Sequence, residues 1–365
     1  MAKQLQCDVL VIGAGPAGSR AAMRAASEGL KVILVDSKTR LGERPHCGEF
    51  VPYQIFREFS LNRNSILHKI NNLETLIVEN KSEFRFKTNL IQSNGFLIDR
   101  PKFDRYAAIE AATSGALTMS STTFSAFADK GCILKSVNGE IIVKSKFVVA
   151  ADGARSTVRK KLGLLNDDCV VGRQLEGIIS NTNSSNAMVF LDHEFFGGYG
   201  WLFPKGATAN VGVGLLPRDG CMYGDSLENF SEMLIKMCLI KPGWIARTSG
   251  FIPTFGIRFP IIVDNIIFVG DAAGLAHPIT GAGIAPAVFS GDTAGEFVAK
   301  AVKSGNPSII SRYQDAILYR YGGPYQHALS KKKVQLESWE TKDFTELCNQ
   351  TWISFKGYKK RERKN

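Results

Sequence analysis

The hydrophobic positions near the start of the chain form two short, continuous, β-branched runs with an alanine-rich segment between them. Residues 7–12 and 31–36 have the length and composition of buried parallel strands. Residues 19–28 predict a helix that ends at Gly29, because glycine commonly terminates helices. Together these segments predict one strand–helix–strand unit of about 30 residues.

Two later apolar runs repeat the strand pattern, and each ends in an acid. Residues 147–152 (Phe-Val-Val-Ala-Ala-Asp) and 265–271 (Asn-Ile-Ile-Phe-Val-Gly-Asp) therefore predict two more buried strands. Residues 100–116, with proline near the start, and the alanine-rich residues 283–302 predict helices. These elements extend the first unit into a larger α/β layer.

Two ranges, about 73–98 and 172–260, are predicted to form antiparallel segments, since apolar and polar positions alternate at 73–98 and 172–217. The chain is therefore predicted to contain a discontinuous α/β domain into which an antiparallel sheet is inserted. The predicted boundaries are 1–72, 99–171 and 261–305 for the α/β domain, 73–98 and 172–260 for the inserted, substrate-facing domain, and 306–365 for a C-terminal helical segment with a basic tail.

The composition is that of an ordinary globular protein, with 44% hydrophobic and 22% charged residues among 365. No stretch approaches the roughly 20 uninterrupted apolar residues of a membrane span. The apolar run at 9–12 is too short for a signal peptide, so we expect a cytoplasmic protein. The seven dispersed cysteines include no CxxC pair, which argues against a disulfide framework and a zinc site.

The net charge of +11 comes largely from two basic runs, 331–333 and 356–364. Such runs are usually solvated, so we predict exposed lysines at both places. A functional alternative is attraction to an acidic partner or peripheral contact of the tail with an anionic membrane surface. Nucleic-acid binding is not expected, because no aromatic–basic interleaving or nucleic-acid motif accompanies the charge.

The first chemical motif is the glycine pattern at 13–18, which directly follows the first predicted strand. Gly13 permits a tight strand-to-helix turn, Gly15 lets the backbone approach a pyrophosphate, and Gly18 lets helix and strand pack closely. The helix N-terminus adds partial positive charge, and Asp36 is placed to accept from a ribose hydroxyl. The predicted nucleotide contacts are Gly13, Gly15, Pro16, Ala17, Gly18, Asp36 and Ser37.

Two acidic strand ends supply the other motifs. Asp152-Gly153 could bind a further nucleotide segment, although such a pair is more often a plain turn. Gly270-Asp271 places a carboxylate within reach of a ribitol or ribose hydroxyl. The glycine-rich turn that follows leads into a helix whose positive end would favour an anionic group.

In this order, the three motifs resemble the p-hydroxybenzoate-hydroxylase-type FAD fold, over roughly residues 5–300. The resemblance implies an α/β fold in which a Rossmann-like FAD-binding domain carries an inserted antiparallel β-sheet substrate domain. It also implies that the first motif and Asp36 hold the ADP part of FAD and that the Gly270-Asp271 motif holds the ribityl chain.

Finer features are similar to the geranylgeranyl reductase family. Residues 198–206 (Gly-Tyr-Gly-Trp-Leu-Phe-Pro-Lys-Gly) resemble its YxWxFPK segment, and residues 44–49 (Arg-Pro-His-Cys-Gly-Glu) resemble its Cys-Gly segment. Residues 99–104 and 278–284 also fit. The implied flavin contacts are Arg44, Cys47, Gly48, Arg100, Asp152, Gly153, Gly270, Asp271, Pro278, Gly281, Ala282, Gly283 and Ile284.

The same resemblance implies that Tyr199, Trp201, Phe203 and Pro204 line a pocket for a polyprenyl chain, and that Cys47 acts in reduction. The residues themselves leave alternatives open. The three aromatics share one strand face, which could equally be core. Cys47 could be a thiol activated by nearby positive charge or a buried inert one.

The predicted function is FAD-dependent reduction of carbon–carbon double bonds in an apolar, isoprenoid-type substrate. Cys47 or a nearby water is the candidate proton donor, and His277 is a second candidate catalytic residue, although loop histidines are more often structural or solvated. NAD(P)H or a ferredoxin-like protein would recycle the flavin. This donor would visit, because no second GxGxxG is present.

Two alternatives use the same cofactor differently. A flavin monooxygenase would hydroxylate an aromatic or a side chain of a partner protein, for example in maturing an amino-acid-derived quinone cofactor. A non-catalytic flavin-binding assembly protein would bind FAD without turnover. The short C-terminal region differs from many polyprenyl reductases, Glu49-Phe50 also occurs in hydroxylase and halogenase relatives, and the halogenase motif WxWxIP is lacking.

Overall fold

The computed structural model describes residues 3–43, 47–129, 131–164, 169–217 and 223–359, which form two eight-stranded sheets with helices around them. The strands are β1 (Lys3–Ile12), β2 (Val32–Val35), β3 (Phe50–Pro52), β4 (Ile66–Asn80), β5 (Arg85–Ile98), β6 (Leu117–Met119), β7 (Thr122–Ala128), β8 (Gly131–Ser136), β9 (Gly139–Ala150), β10 (Val170–Ile179), β11 (Asn186–Leu191), β12 (Tyr199–Pro204), β13 (Thr208–Leu215), β14 (Ile240–Ile252), β15 (Ile262–Val263) and β16 (Ile266–Phe268).

Ten α-helices accompany the strands in the described part of the chain. They are α1 (Pro16–Ser27), α2 (Tyr53–Glu58), α3 (Arg100–Thr113), α4 (Thr157–Lys161), α5 (Tyr223–Lys236), α6 (Ile284–Ser304), α7 (Ser311–Ile317), α8 (Gly323–Glu337), α9 (Phe344–Thr351) and α10 (Lys356–Lys359). Short 3₁₀ turns lie at Arg63–Ser65, Gly270–Ala273 and Pro307–Ile310, and a π-helical turn at Leu318–Gly322 joins α7 to α8. No described helix combines the length and the apolar composition that crossing a bilayer requires.

The first sheet brings the three motifs to one edge. Its order is β15-β16-β9-β1-β2-β6, with β8 and β7 continuing from β9. The neighbouring strands β1, β2, β9 and β16 are parallel, and their last residues pair: Ile12 lies beside both Val35 and Ala150, and Ala150 also lies beside Phe268. Because the carboxyl ends of these strands coincide, the turns that follow them meet.

The second sheet has the order β14-β10-β13-β12-β11-β4-β5-β3. Its pairs are antiparallel except for β4 and β11, which run parallel, so the sheet is mixed rather than purely antiparallel. It takes in β3 and the whole of β4, and so reaches beyond the range 73–98. The predicted fold class is confirmed, while the exact domain boundaries stay a prediction.

Helices α1 and α6 cross at very short range because α6 offers glycines at the crossing. A Cβ on Gly291 would lie 2.1 Å from the carbonyl oxygen of Ala17, and one on Gly295 would lie 2.7 Å from that of Ala21. Both helices begin at the edge where the motifs meet, since α1 follows Gly15 and α6 follows Gly283. The glycines therefore fix the relative position of two helix N-termini at the site.

Several local expectations need correction. Helix α1 begins at Pro16 rather than at residue 19, because proline suits the first helical turn. Helix α5 occupies part of the range read as alternating strands, since Leu227, Phe230 and Leu234 lie at helical spacing and pack in the core of the second sheet. Helix α3 stops at Thr113, just before Gly115 at φ 106°.

The basic run at 331–333 is not simply a solvated face. Lys331 and Lys332 on α8 are 6% and 3% exposed, and only Lys333 reaches solvent, where it lies 3.7 Å from Glu337. The prediction was wrong for the first two lysines because a charge run gives no information about which helix face packs inward. Of the second run, Lys356 and Lys359 are exposed, and residues 360–365 lie outside the described residues.

Candidate cofactor and substrate site

Close contacts within the protein require glycine at two of the three glycine positions of the first turn, 13 and 18, but not at 15. Gly13 adopts φ 102°, and a Cβ there would lie 2.3 Å from the oxygen of Ala151. A Cβ on Gly18 would lie 1.8 Å from the oxygen of Gly13. A Cβ on Gly15 would meet nothing within 4 Å, and its φ of −76° suits any residue. The protein itself therefore does not require glycine at 15, which fits a position kept clear for a pyrophosphate.

This difference gives a test of cofactor binding. Replacing Gly15 with alanine should leave the thermal midpoint of the FAD-free protein unchanged, because the added Cβ would meet nothing within 4 Å in the fold. FAD affinity should fall at least about tenfold, since the side chain would fill the space next to the helix N-terminus. Titration of the apoprotein with FAD, followed by flavin fluorescence, measures this. An unchanged dissociation constant would remove Gly15 from the cofactor site.

Asp36 ties the end of β2 to the glycine turn. Its Oδ2 accepts a hydrogen bond from the amide of Ala14 at 2.7 Å, and its Oδ1 accepts from the amide of Lys38 at 2.8 Å. An ionised carboxylate has about four acceptor positions, so each oxygen can still accept a hydroxyl. Asp36 therefore orders the turn and remains able to hold a ribose.

Two carboxylates at the same edge are desolvated, and this burial raises the pKa of both Asp152 and Asp271. Oδ2 of Asp152 accepts from the amide of Val158 at 3.0 Å, whereas its Oδ1 is buried without a partner among the described residues. For the pKa of Asp271, Arg100 and Arg258 partly oppose the effect of burial. A buried acceptor without a donor is costly, so Oδ1 of Asp152 suits a hydroxyl group of a bound sugar or ribityl chain. The residues present thus fit FAD.

The segment that follows β16 is held in place by long polar side chains from other parts of the chain. Its irregular backbone leaves carbonyls without regular partners, and buried donors satisfy them at distances between 2.5 and 3.0 Å. The pairs are Tyr313 with the carbonyl of Phe268, Arg159 with Ala272, Tyr325 with Leu275, Lys332 with Pro278, and Tyr199 with Thr280. The glycine-rich turn is therefore pre-organised by the surrounding protein.

His277 belongs to this turn. Its Nδ1 accepts hydrogen bonds from the amides of Ile279 and Thr280, both at 3.3 Å. Burial, together with the nearby Lys332, lowers the pKa of His277 to about 4, so the ring is neutral near pH 7. This geometry makes His277 a structural acceptor of the turn, and its catalytic assignment stays a prediction.

Cys47 lies where two donors converge on its sulfur. The amide of Glu49 donates to Sγ at 3.2 Å, and the guanidinium of Arg100 also hydrogen-bonds the sulfur. Burial nevertheless raises the pKa of Cys47 above its usual value, and this outweighs the effect of Arg100. The thiol is therefore protonated near pH 7, contrary to the interpretation that nearby positive charge keeps it as a thiolate. Arg44 and His46, on which that interpretation rested, lie outside the described residues.

Arg100 is itself oriented by an acid one helical turn later. Its Nε and Nη2 donate to the two carboxylate oxygens of Asp104 at 3.1 and 3.0 Å. This two-point contact fixes the plane of the guanidinium, as is typical of arginine–carboxylate pairs. Arg100 therefore links α3 to Cys47, and its charge also reaches Asp271.

Beneath Cys47 lies a polar cluster that the sequence analysis did not assign. Glu49, 6% exposed and at φ 66°, lies 2.7 Å from Nζ of Lys205 and accepts a hydrogen bond from Nδ2 of Asn210 at 2.8 Å. Glu176 lies 3.6 Å from the same lysine. A polar asparagine in the otherwise apolar strand β13 was the available sequence signal. The cluster anchors the Cys47 segment to the second sheet.

The aromatic row of β12 lies next to this segment. Trp201 stacks with Phe203, their ring centroids 6.4 Å apart, and contacts Tyr199 at 5.8 Å. A Cβ on Gly212 would lie 2.2 Å from the indole, so the ring rests directly on the backbone of β13. Phe203 lies close enough to Gly48 that a Cβ there would approach it to 3.1 Å. The structure thus brings the two predicted motifs, Cys-Gly and YxWxFPK, into contact.

A small pocket opens beside the row. Its walls include Tyr199, Trp201, Ile252, Ile279, Thr280 and Lys332. Phe203 instead packs against Phe50, with ring centroids 6.2 Å apart, and Pro204 is buried at the end of β12. Tyr199 and Trp201 thus line the pocket and Phe203 does not, and the role of these aromatics in binding a polyprenyl chain stays a prediction.

Comparison with known proteins agrees with this geometry. Residues 6–169 match the family described as FAD binding domain. The chain is 33% identical over 316 residues to digeranylgeranylglycerophospholipid reductase 1 of Methanosphaera stadtmanae, covering 83% of this chain and 78% of the relative. The crystal structure of a geranylgeranyl bacteriochlorophyll reductase-like protein from Thermoplasma acidophilum superposes with a TM-score of 0.83 and 26% identity, over 97% of this chain and 92% of that one.

A more distant solved structure shows how widely the fold is used. A flavin-dependent brominase superposes with a TM-score of 0.71 over 91% of this chain and 87% of its own, at 19% identity. At that identity the likeness concerns the fold alone.

Proposed function

Since the chain belongs to the digeranylgeranylglycerophospholipid reductase family and is an FAD-dependent oxidoreductase, we propose that it adds hydrogen across carbon–carbon double bonds of a polyprenyl chain. The observation that carries the proposal is the contact between the Cys47 segment and the aromatic row beside an apolar pocket. Aromatic and aliphatic walls suit an isoprenoid, which offers few polar atoms.

Reduction of an isolated double bond needs a hydride at one carbon and a proton at the other. FAD, when bound and reduced, supplies the hydride. Cys47 is suited to supply the proton, because burial keeps its thiol protonated near pH 7. The amide of Glu49 and the guanidinium of Arg100 then stabilise the thiolate that remains, since both donate to Sγ. A proton from solvent restores the thiol.

The source of electrons and the cellular setting complete the proposal. A visiting NAD(P)H or ferredoxin-like donor is favoured because one GxGxxG pattern, at 13–18, is present in the sequence. The exposed lysines of α10 and the basic residues after it suit a peripheral contact with an anionic membrane surface, where a lipid substrate would be met.

An anaerobic reoxidation experiment tests the proposal. The FAD-loaded protein is reduced with dithionite under argon, and geranylgeraniol is added. We expect the absorbance of oxidised flavin to return while the polyprenol gains hydrogen, measured by mass spectrometry. The fully saturated alcohol is the control and should leave the flavin reduced. If only oxygen reoxidises the flavin, and does so with hydroxylation of an added aromatic compound, the enzyme is a monooxygenase.

A further inference from the structure

Lys332 is a buried cation that the proposed chemistry does not use. It lies on α8 and is 3% exposed. Its Nζ donates to Oγ1 of Thr254 at 2.8 Å and to the carbonyl of Pro278 at 3.0 Å, and lies 5.1 Å from the ring centroid of Phe255. All three neighbours are electrically neutral.

The charge of Lys332 has no acidic partner within ion-pair distance among the residues that the structure describes. Lysine is almost never fully buried unless it is paired, because removing an ammonium from water is costly. Two neutral acceptors could be satisfied equally well by an uncharged donor. They also use only two of the three N–H groups of the ammonium. The charged form of Lys332 would therefore be stabilised by a negative partner from outside the fold.

The position of Lys332 indicates where that partner comes from. The residue lines the pocket beside Tyr199 and Trp201, where no other charged side chain contributes to the described walls. The titratable neighbour His277 is neutral near pH 7, since burial and Lys332 lower its pKa to about 4. The pocket thus presents apolar walls and a single cationic group, which is the pattern that matches an anionic amphiphile.

We propose that Lys332 is a substrate-binding residue that receives a phosphate oxygen of an anionic polyprenyl substrate. This inference rests on the proposed function and refines it, because it assigns the residue that receives the phosphate of the polyprenyl substrate. A diphosphate ester and a glycerophospholipid both offer the required oxygen.

The protonation of Lys332 predicts how the affinity for the phosphate-bearing ligand depends on pH. Burial lowers the pKa of Lys332 to about 7, so without an anion the amine is about half protonated at that pH. A bound phosphate favours the charged form and raises the pKa, so binding above pH 7 takes up a proton. Affinity for the phosphate-bearing ligand should therefore fall as the pH rises above 7, relative to the neutral alcohol.

The variant Lys332→Gln removes the charge while keeping an amide that can donate to Thr254 and Pro278, and Lys332→Met removes both. Lys333→Gln is the matched control, because Lys333 is the next residue on α8 and is exposed. Dissociation constants are measured on the oxidised FAD-loaded protein by calorimetry. The probes are geranylgeranyl diphosphate, a digeranylgeranyl glycerophospholipid in detergent, and geranylgeraniol.

We expect Lys332→Gln to weaken binding of at least one phosphate-bearing probe roughly tenfold or more, as for loss of a charge-assisted contact, and to change geranylgeraniol binding less than about twofold. Lys333→Gln should change neither. Whichever phosphate probe responds identifies the source of the anion.

Equal effects on the diphosphate, the phospholipid and the alcohol would overturn the assignment. The assignment would also be overturned if only Lys332→Met weakened ligand binding and the flavin reduction potential shifted with it. Lys332 would then serve only to hold the turn in place through its hydrogen bond to the carbonyl of Pro278. Failure of the function itself is distinguishable, because wild-type protein would then transfer hydrogen to none of the three polyprenyl probes in the anaerobic experiment, whatever Lys332 binds.

Discussion

Replacing Cys47 with alanine should lower the rate of double-bond reduction about 100-fold or more, while FAD remains bound. The proton donor would be lost, whereas the cofactor contacts proposed for the glycine turn and the acidic strand ends would stay. Stopped-flow measurement of flavin reoxidation by geranylgeraniol, after anaerobic reduction, gives the rate. FAD content measured by absorbance gives the binding.

Two further variants serve as a comparison and a control for Cys47→Ala. Cys47→Ser keeps a hydroxyl in place of the thiol, which is a much weaker acid, and should therefore also be slow. Cys238→Ala is the control, because Cys238 is exposed and far along the chain in the turn before β14. If Cys47→Ala reduces the substrate at the wild-type rate, Cys47 is not the proton donor.

Replacing Lys205 with methionine should lower the free energy of unfolding by about 3–5 kcal/mol, as for removal of one partner from a buried ion pair. The two side chains are 10% and 8% exposed and their charged atoms are 2.7 Å apart, so solvent cannot replace the lysine. Glu49 would keep Asn210 as a donor but would lose its counter-charge. Urea unfolding of the FAD-loaded protein, followed by circular dichroism, measures the change.

The double variant Glu49→Gln with Lys205→Met tests whether the loss of stability comes from the unpaired charge that Lys205→Met leaves on Glu49. Removing both charges should recover much of the lost stability, because no buried charge is left without a partner. Lys81→Met serves as a comparison, since Lys81 also pairs with two acids, Asp192 and Glu194, but has 37% side-chain exposure. A loss of less than about 1 kcal/mol for Lys205→Met would show that water reaches the pair after all.

The residues at the cofactor-binding edge of the first sheet could be predicted because each belongs to a short pattern of neighbouring positions in the sequence. Gly13, Gly18 and the acids at strand ends are each read within one strand and the turn after it, and parallel strands align their carboxyl ends. The structure adds the reason for each glycine: a Cβ on Gly13 would lie 2.3 Å from the oxygen of Ala151, and one on Gly18 would lie 1.8 Å from the oxygen of Gly13. Helix α5 was missed because the alternation of the surrounding strands masked its helical spacing.

The polar interior of the site could not be predicted in the same way. Glu49 directly precedes β3, Lys205 directly follows β12 and Asn210 lies in β13, and no local pattern relates the three. Lys332 belonged to a run of three lysines whose burial depends on how α8 packs. The protonation of Cys47 likewise depends on burial and on Arg100, which lies in a separate helix.

The sequence by itself determined the dinucleotide-binding edge and the two-sheet fold class, because short-range spacing encodes turns and strand faces. Its resemblance to a known family singled out the Cys-Gly segment and the aromatic strand, and the structure showed that the two are in contact. Only the tertiary structure decided which charges are buried, which donors reach them and which aromatics face open space. Those properties depend on desolvation and on distances between segments far apart in the chain, which are set when the elements pack.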